Sequence, residues 1–258
     1  MSDIHAAAQA GFSSEATTYA RGRPEYPGEL AAWLRDKLAL GAGKTAVDLG
    51  AGTGKFTRLL FNTGANVIAV EPVEAMRLQL AAKLPGVRVL DGSAQAMPLP
   101  SGSFDALVCA QAFHWFATAA ALEEIRRVLK PGGRLGLVWN VRDESADWVA
   151  EITRIITPYE GDAPRFHKAE WQQAFTGSAF TALALDTFAH QHVGSADEVI
   201  LDRFLSVSFI AALGDEHKAS VRGALQRLIA THPQLAGRGT IAIPYTTHAY
   251  WCAARDSG

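Results

Sequence analysis

The chain is short of the features that would direct a functional reading on their own. It has two cysteines in 258 residues. Cys109 and Cys252 both lie in apolar, strand-like runs, and neither has a neighbouring histidine or lysine to stabilise a thiolate. They read as buried thiols in a reducing compartment. No run of one charge sign occurs: 24 Lys and Arg against 26 Asp and Glu leave a net charge of -2, which gives no electrostatic case for nucleic acid. No apolar run reaches membrane-spanning length. The opening Met1-Ser2-Asp3-Ile4-His5 lacks a basic patch ahead of an apolar core, so no secretory signal and a cytoplasmic location are expected. There is no Gly-x-Ser-x-Gly elbow and no Walker loop. His190 and His192 alternate on one strand face without an evident third ligand, so no metal is expected. Internal repeats, low-complexity segments and flexible linkers are also missing.

What is there alternates between two periodicities. After an aperiodic first 27 residues rich in Ala, Gly, Arg and Pro, Leu30, Ala31, Trp33, Leu34 and Leu38 begin a helical stripe. Strand-like runs at 44–49, 66–71, 87–91, 104–110 and 134–140 then interleave with helical patterns at 54–62, 74–83 and 118–129. Lys130-Pro131-Gly132-Gly133 is expected to turn into the last of these strands. The alternation predicts right-handed crossovers and a parallel sheet covered on both faces. Beyond residue 140 helices are expected near 145–157, 168–176, 196–205 and 215–231. Two late strands, 180–192 and 240–251, can pair as a hairpin at one sheet edge. The expected organisation is a single domain over 1–258. Within it, 1–40 form an N-terminal lid and first helix, 41–142 a binding core, and 143–258 lid helices and closing strands.

The densest signal is Val47-Asp48-Leu49-Gly50-Ala51-Gly52-Thr53-Gly54-Lys55-Phe56, followed at a strand's length by Val67-Ile68-Ala69-Val70-Glu71-Pro72. A strand running into alternating glycines and then a helix lets backbone approach a ligand. A carboxylate at the end of the next strand can receive two ribose hydroxyls. Two details argue against a dinucleotide. Gly54 comes one residue too early for Gly-x-Gly-x-x-Gly, and Lys55 takes the place of the third glycine. Asp48 also stands where a pyrophosphate would be drawn. An acid there suits a ligand carrying an ammonium and a sulfonium, which describes S-adenosyl-L-methionine.

Asp-x-Gly-x-Gly-x-Gly followed by Glu71 resembles the first two motifs of class I S-adenosylmethionine-dependent methyltransferases. The resemblance implies a doubly wound, Rossmann-like α/β sheet of seven strands, mostly parallel with an antiparallel edge strand, plus a helical lid. It also implies cofactor binding at Asp48, Gly50, Ala51, Gly52, Gly54, Glu71 and Pro72. Gly92-Ser93-Ala94 falls where many members carry Gly-Asp-Ala; Ser93 replaces the acid that meets the adenine amino group, leaving a hydroxyl and backbone for Ser93 and Ala94 to offer. Met97-Pro98-Leu99-Pro100 resembles a scaffold stretch of the UbiE-like branch. Three further runs resemble the branch that includes trans-aconitate methyltransferases: Tyr19 to Pro27, Phe113-His114-Trp115-Phe116, and Trp139-Asn140-Val141-Arg142-Asp143. In that light Tyr19 and Arg23 are expected to close over the cofactor, with residues 12–27 as a lid.

The strand ends would gather Gln111 on the cofactor side, His114 and Trp115 as a wall facing the methyl group, and Arg142 as an anchor for an anionic acceptor. His114 as a general base for a phenolic or natural-product acceptor is the alternative. A nicotinamide-dependent dehydrogenase and a non-catalytic adenosyl-binding module are the rivals from other classes. The expected partner is a small-molecule substrate, with carboxylic acids foremost. The oligomeric state is left open.

Overall fold

The computed structural model describes residues 22–255. After α1 (Leu30–Asp36), strands β1 (Thr45–Leu49), β2 (Asn66–Val70) and β3 (Arg88–Leu90) alternate with α2 (Lys55–Asn62) and α3 (Glu74–Lys83). β4 (Phe104–Ala110), α4 (Ala119–Val128) and β5 (Leu129–Arg142) follow. The second half carries α5 (Asp147–Ile156), β6 (Ala184–Gly194), a π-helical turn (Asp197–Asp202), the short α6 (Arg203–Leu205) and α7 (Ser208–Ala211), α8 (Asp215–Thr231) and β7 (Ile241–Ala253).

All seven strands form one sheet in the order β3-β2-β1-β4-β5-β7-β6. β1 to β5 pair in parallel, and β7 runs antiparallel to β5 and β6, so the two late strands form the expected hairpin at the sheet's edge. Central strands buried on both faces need apolar residues at every position, and β4 supplies them with Ala106 to Cys109 wholly buried. Successive side chains feed opposite faces. Val47, Leu49, Leu107, Leu137 and Trp139 pack with α4 in one cluster, while Ala46, Val67, Val108 and Val138 pack with α1 and α2 in another. α4 starts where Thr118 accepts a hydrogen bond from the Ala121 backbone at 3.2 Å. A third cluster joins α5, α6, α7 and α8 around Trp148, Phe204 and Leu225, and closes onto β7 through Ile243 and Tyr245.

Three local readings are corrected. Residues 168–176 are not an α-helix but lie in two 3₁₀ turns, Phe166–Lys168 and Glu170–Phe175. These are split at Ala169, whose φ of 59° cannot continue a right-handed helix. The 196–205 helix begins as the π turn and only then becomes α-helical. The Lys130–Gly133 turn is absorbed into β5 as an irregularity: the register jumps from Phe104↔Leu129 to Ala106↔Arg134.

Candidate active site

Two cavities open beyond the carboxyl ends of the parallel strands. The first, of 160 Å³, is walled by the β1–α2 loop, the end of β2, Gly92-Ser93-Ala94 and Gln111-Ala112. Asp48, Gly50, Ala51, Gly52, Glu71, Pro72, Ser93, Ala94, Gln111 and Arg23 all line it. Gly54 sits one step behind, as the N-cap of α2. Tyr19 and the lid residues 12–21 lie outside the described residues.

The loop is held open by its glycines and by one acid. Gly50 has φ +70°, and a β-carbon there would lie 2.7 Å from that of Ala112. Only glycine fits so close to the β4 loop. Glu71 is buried and clamps the loop from the next strand: its Oε2 accepts from the Gly52 N–H and its Oε1 from the Val73 N–H, both at 2.9 Å. Each oxygen keeps a second lone pair that a hydroxyl could use. Burial pushes this carboxyl above its ordinary value, against the pull of the two backbone N–H groups and Arg77.

Asp48 is wholly buried. The Thr57 hydroxyl donates to its Oδ2 at 2.6 Å, while its Oδ1 has no partner among the described residues. Burial is the main cause that pushes its carboxyl up to about 7, with Glu71 adding repulsion and Thr57 opposing. A buried carboxylate oxygen without a donor is costly, and a cation lodged in the cavity would relieve it. Gln111 adds a second strained feature, a non-glycine residue at φ +60° on the rim.

The second cavity, of 300 Å³, lies between β5 and the helices that follow it. His114 and Arg142 line this one, so the structure separates them from the glycine loop. Arg23, Gln111, Trp115, Asn140 and Arg203 line both cavities. The second is rich in cations: Arg23, Arg142, Arg165 and Arg203 face Glu144 and Glu160. Phe204 is flanked by two of them, with the Arg142 and Arg203 guanidinium carbons each 5.3 Å from its ring centroid. The Arg142 Nη2 donates to the Thr153 hydroxyl at 3.2 Å, and its Nε lacks a partner among the described residues, as do Nε and Nη1 of Arg203. Burial pulls the Arg165 guanidinium down to about 10, although Glu160 at 3.6 Å supports its charge.

His114 faces this chamber with a fixed tautomer. The Trp139 indole donates to its Nδ1 at 3.1 Å, so the neutral ring carries its proton on Nε2. Burial lowers its pKa to about 3, and Arg165, Arg23 and His167 push the same way. Trp139 in turn packs at a tilt against Trp171 and Phe166, at 4.7 and 4.8 Å between centroids. Arg165, Arg203 and Glu160 went unnoticed in the sequence because no motif surrounds them. Arg203 alone left a trace, as half of an Asp202-Arg203 pair interrupting the apolar run from Val199 to Leu205.

Residues 47–137 match a family model described as a methyltransferase domain. Over 242 residues the chain is 37% identical to an uncharacterized methyltransferase-like protein of Schizosaccharomyces pombe, covering 93% of each chain. A solved structure from Anaeromyxobacter dehalogenans, assigned as a type II methyltransferase, superposes with a TM-score of 0.66 at 25% identity, covering 90% of this chain and 97% of that one. The fold also matches a geranyl diphosphate C-methyltransferase of Streptomyces coelicolor solved with S-adenosyl-L-homocysteine. That match has a TM-score of 0.50 at 14% identity and covers 87% of this chain and 75% of that one.

Proposed function

This chain belongs to the methyltransferase family, and from that premise we propose that it moves a methyl group from S-adenosyl-L-methionine to a small carboxylic acid. One observation carries the reading: a cavity built on an orphaned buried acid and a glycine loop shares five wall residues with a chamber lined by four arginines. When bound, the cofactor supplies a methyl group on a positive sulfur, ready for in-line displacement. Asp48 and Glu71 suit its cationic end and its ribose, and Ser93 and Ala94 lie where the adenine would rest.

The protein's share of the work is positioning. Arg142, held by Thr153 and by the face of Phe204, offers an anion a cationic anchor beyond the fifth strand. Orienting a carboxylate oxygen toward the methyl carbon can supply about 7–11 kcal/mol of the barrier reduction. A carboxylate is already ionised at neutral pH, so no base is required. His114 fits that economy: its Nδ1 is occupied by Trp139 and its pKa lies near 3, which leaves it an N–H donor toward the chamber rather than a proton acceptor. The same features weigh against the phenolic alternative, which needs a base.

The test is incubation with S-adenosylmethionine and a panel of small carboxylic acids and phenols, following methyl ester formation and adenosylhomocysteine release. An ester from at least one acid is expected, with Arg142→Ala raising KM at nearly constant kcat, because an anion anchor acts alike in ground and transition states. Methylation confined to phenols, with KM unchanged in Arg142→Ala, would refute the carboxylate reading.

A further inference from the structure

Lys55 stands in the first turn of α2, directly after the left-handed Gly54 cap. A cation there opposes the helix dipole, and burial lowers the pKa of its ammonium, so its own helix gains nothing from it. Its contacts lie elsewhere. The ammonium donates to the Arg23 carbonyl and pairs with Glu25 at 3.0 Å. Both partners belong to residues 22–26, a strap that crosses the site. The rest of the strap is tied down on three sides. Gly22 packs so tightly on the backbone of Asp202 and Arg203 that a β-carbon would approach to 2.8 Å. The Asn140 side chain donates to the Glu25 carbonyl at 3.2 Å, and Tyr26 meets Phe56 edge to face at 4.9 Å. Between these ties the Arg23 side chain reaches Ser206 O at 3.4 Å and lines both cavities.

We propose that Lys55 is a positioning residue that acts through Arg23: its grip on the strap holds the Arg23 guanidinium where the cofactor cavity meets the acceptor chamber. Glu25 also pairs with Arg58 at 3.0 Å, but that pair is more than half exposed and contributes little. The Lys55 ammonium is largely covered, and its bond to a carbonyl is charge-assisted, so of the two cations at Glu25 it is the one that adds to the other ties in keeping the strap closed. Without it the strap opens for part of the time, and the affinity of every ligand that needs Arg23 falls by the same factor as the closed fraction.

The inference rests on the methyltransferase reading, and a double-mutant cycle separates the two. Adenosylhomocysteine affinity is measured by calorimetry for the wild type, Lys55→Met, Lys55→Arg, Arg23→Met and the Lys55→Met/Arg23→Met pair, with apo melting temperatures alongside. Lys55→Met is expected to weaken binding about tenfold, as a fall of the closed fraction to about a tenth would require. Lys55→Arg, which keeps a cation in reach of both strap groups, should stay within threefold of wild type. The double variant should bind no worse than Arg23→Met alone, because removing the pin is without effect once the group it positions is gone. Additive losses, an affinity in Lys55→Met equal to wild type, or a loss in Lys55→Arg equal to that in Lys55→Met would each overturn the positioning role while leaving the cofactor assignment intact. Failure of the wild type itself to bind adenosylhomocysteine would overturn both.

Discussion

Replacing Asp48 by Asn should, at pH 8, make the empty protein more stable and weaken its hold on ligand. The Asp48 carboxyl is wholly buried, and its pKa is pushed from an ordinary 3.8 up to about 7, chiefly by burial. The folded state therefore holds this proton more tightly than the unfolded chain does. The contribution is intact below about pH 4, is lost as pH rises through about 7, and levels off above that. At about 1.36 kcal/mol per tenfold change, the full cost of the ionised form approaches about 4 kcal/mol, and about 2–3 kcal/mol of it develops between pH 5 and pH 8. An asparagine can still accept the Thr57 hydroxyl bond and carries no charge to desolvate. Its NH₂ would point where Oδ1 now lacks a partner, at a penalty of about 1–3 kcal/mol that does not vary with pH. The melting temperature of the apo variant, relative to wild type, should thus rise by about 5–10 °C between pH 5 and pH 8, at about 2–4 °C per kcal/mol for a chain of this size. The same substitution removes the negative charge of a carboxylate that lines the cavity, so adenosylhomocysteine should bind about 10–150-fold more weakly at pH 8, the equivalent of one charge-assisted hydrogen bond. Thermal unfolding at the two pH values and calorimetry at pH 8 measure both. A melting difference that does not change with pH, together with undiminished binding, would refute the argument that Asp48 is kept for the ligand at the expense of the fold.

His114→Gln should keep kcat within a few-fold in steady-state assays, whereas loss of a needed general base would cost roughly 10²–10⁴-fold. Gly50→Ala should lose about 2–4 kcal/mol in denaturant unfolding, because its new methyl would meet Ala112 at 2.7 Å on a backbone with φ +70°.

The glycine-loop half of the site was legible because its residues are local in sequence. A strand, a glycine loop and the acid of the next strand fall within 25 residues, and parallel pairing of Asp48 with Ala69 brings them side by side without help from distant segments. The helices α3 and α8 followed from periodicity at 74–83 and 215–231. The second cavity was largely hidden. Arg165 reaches the chamber from the turns after α5 and Arg203 only after the chain has passed through β6, and nothing local sets either apart from surface arginines. The π turn that precedes Arg203 has no pattern distinct from an ordinary amphipathic helix. The clamp that Glu71 places on Gly52 was equally invisible, since a ribose ligand and a loop brace call for the same acid.

The sheet order has a consequence for how such a chain can change. The strand ends before Gln111 build the first cavity, whereas two of the four arginines lining the second, Arg165 and Arg203, and its Glu144 and Glu160 come from chain beyond the fifth strand. The family model ends at residue 137, just before that point. The two halves meet at a few residues, chiefly Gln111, Trp115 and Asn140, together with Arg23 and Arg203. The molecule is thus divided like a tool with a fixed handle and an exchangeable bit: residues after Arg142 can diverge toward a new acceptor while the glycine loop, Asp48 and Glu71 stay as they are.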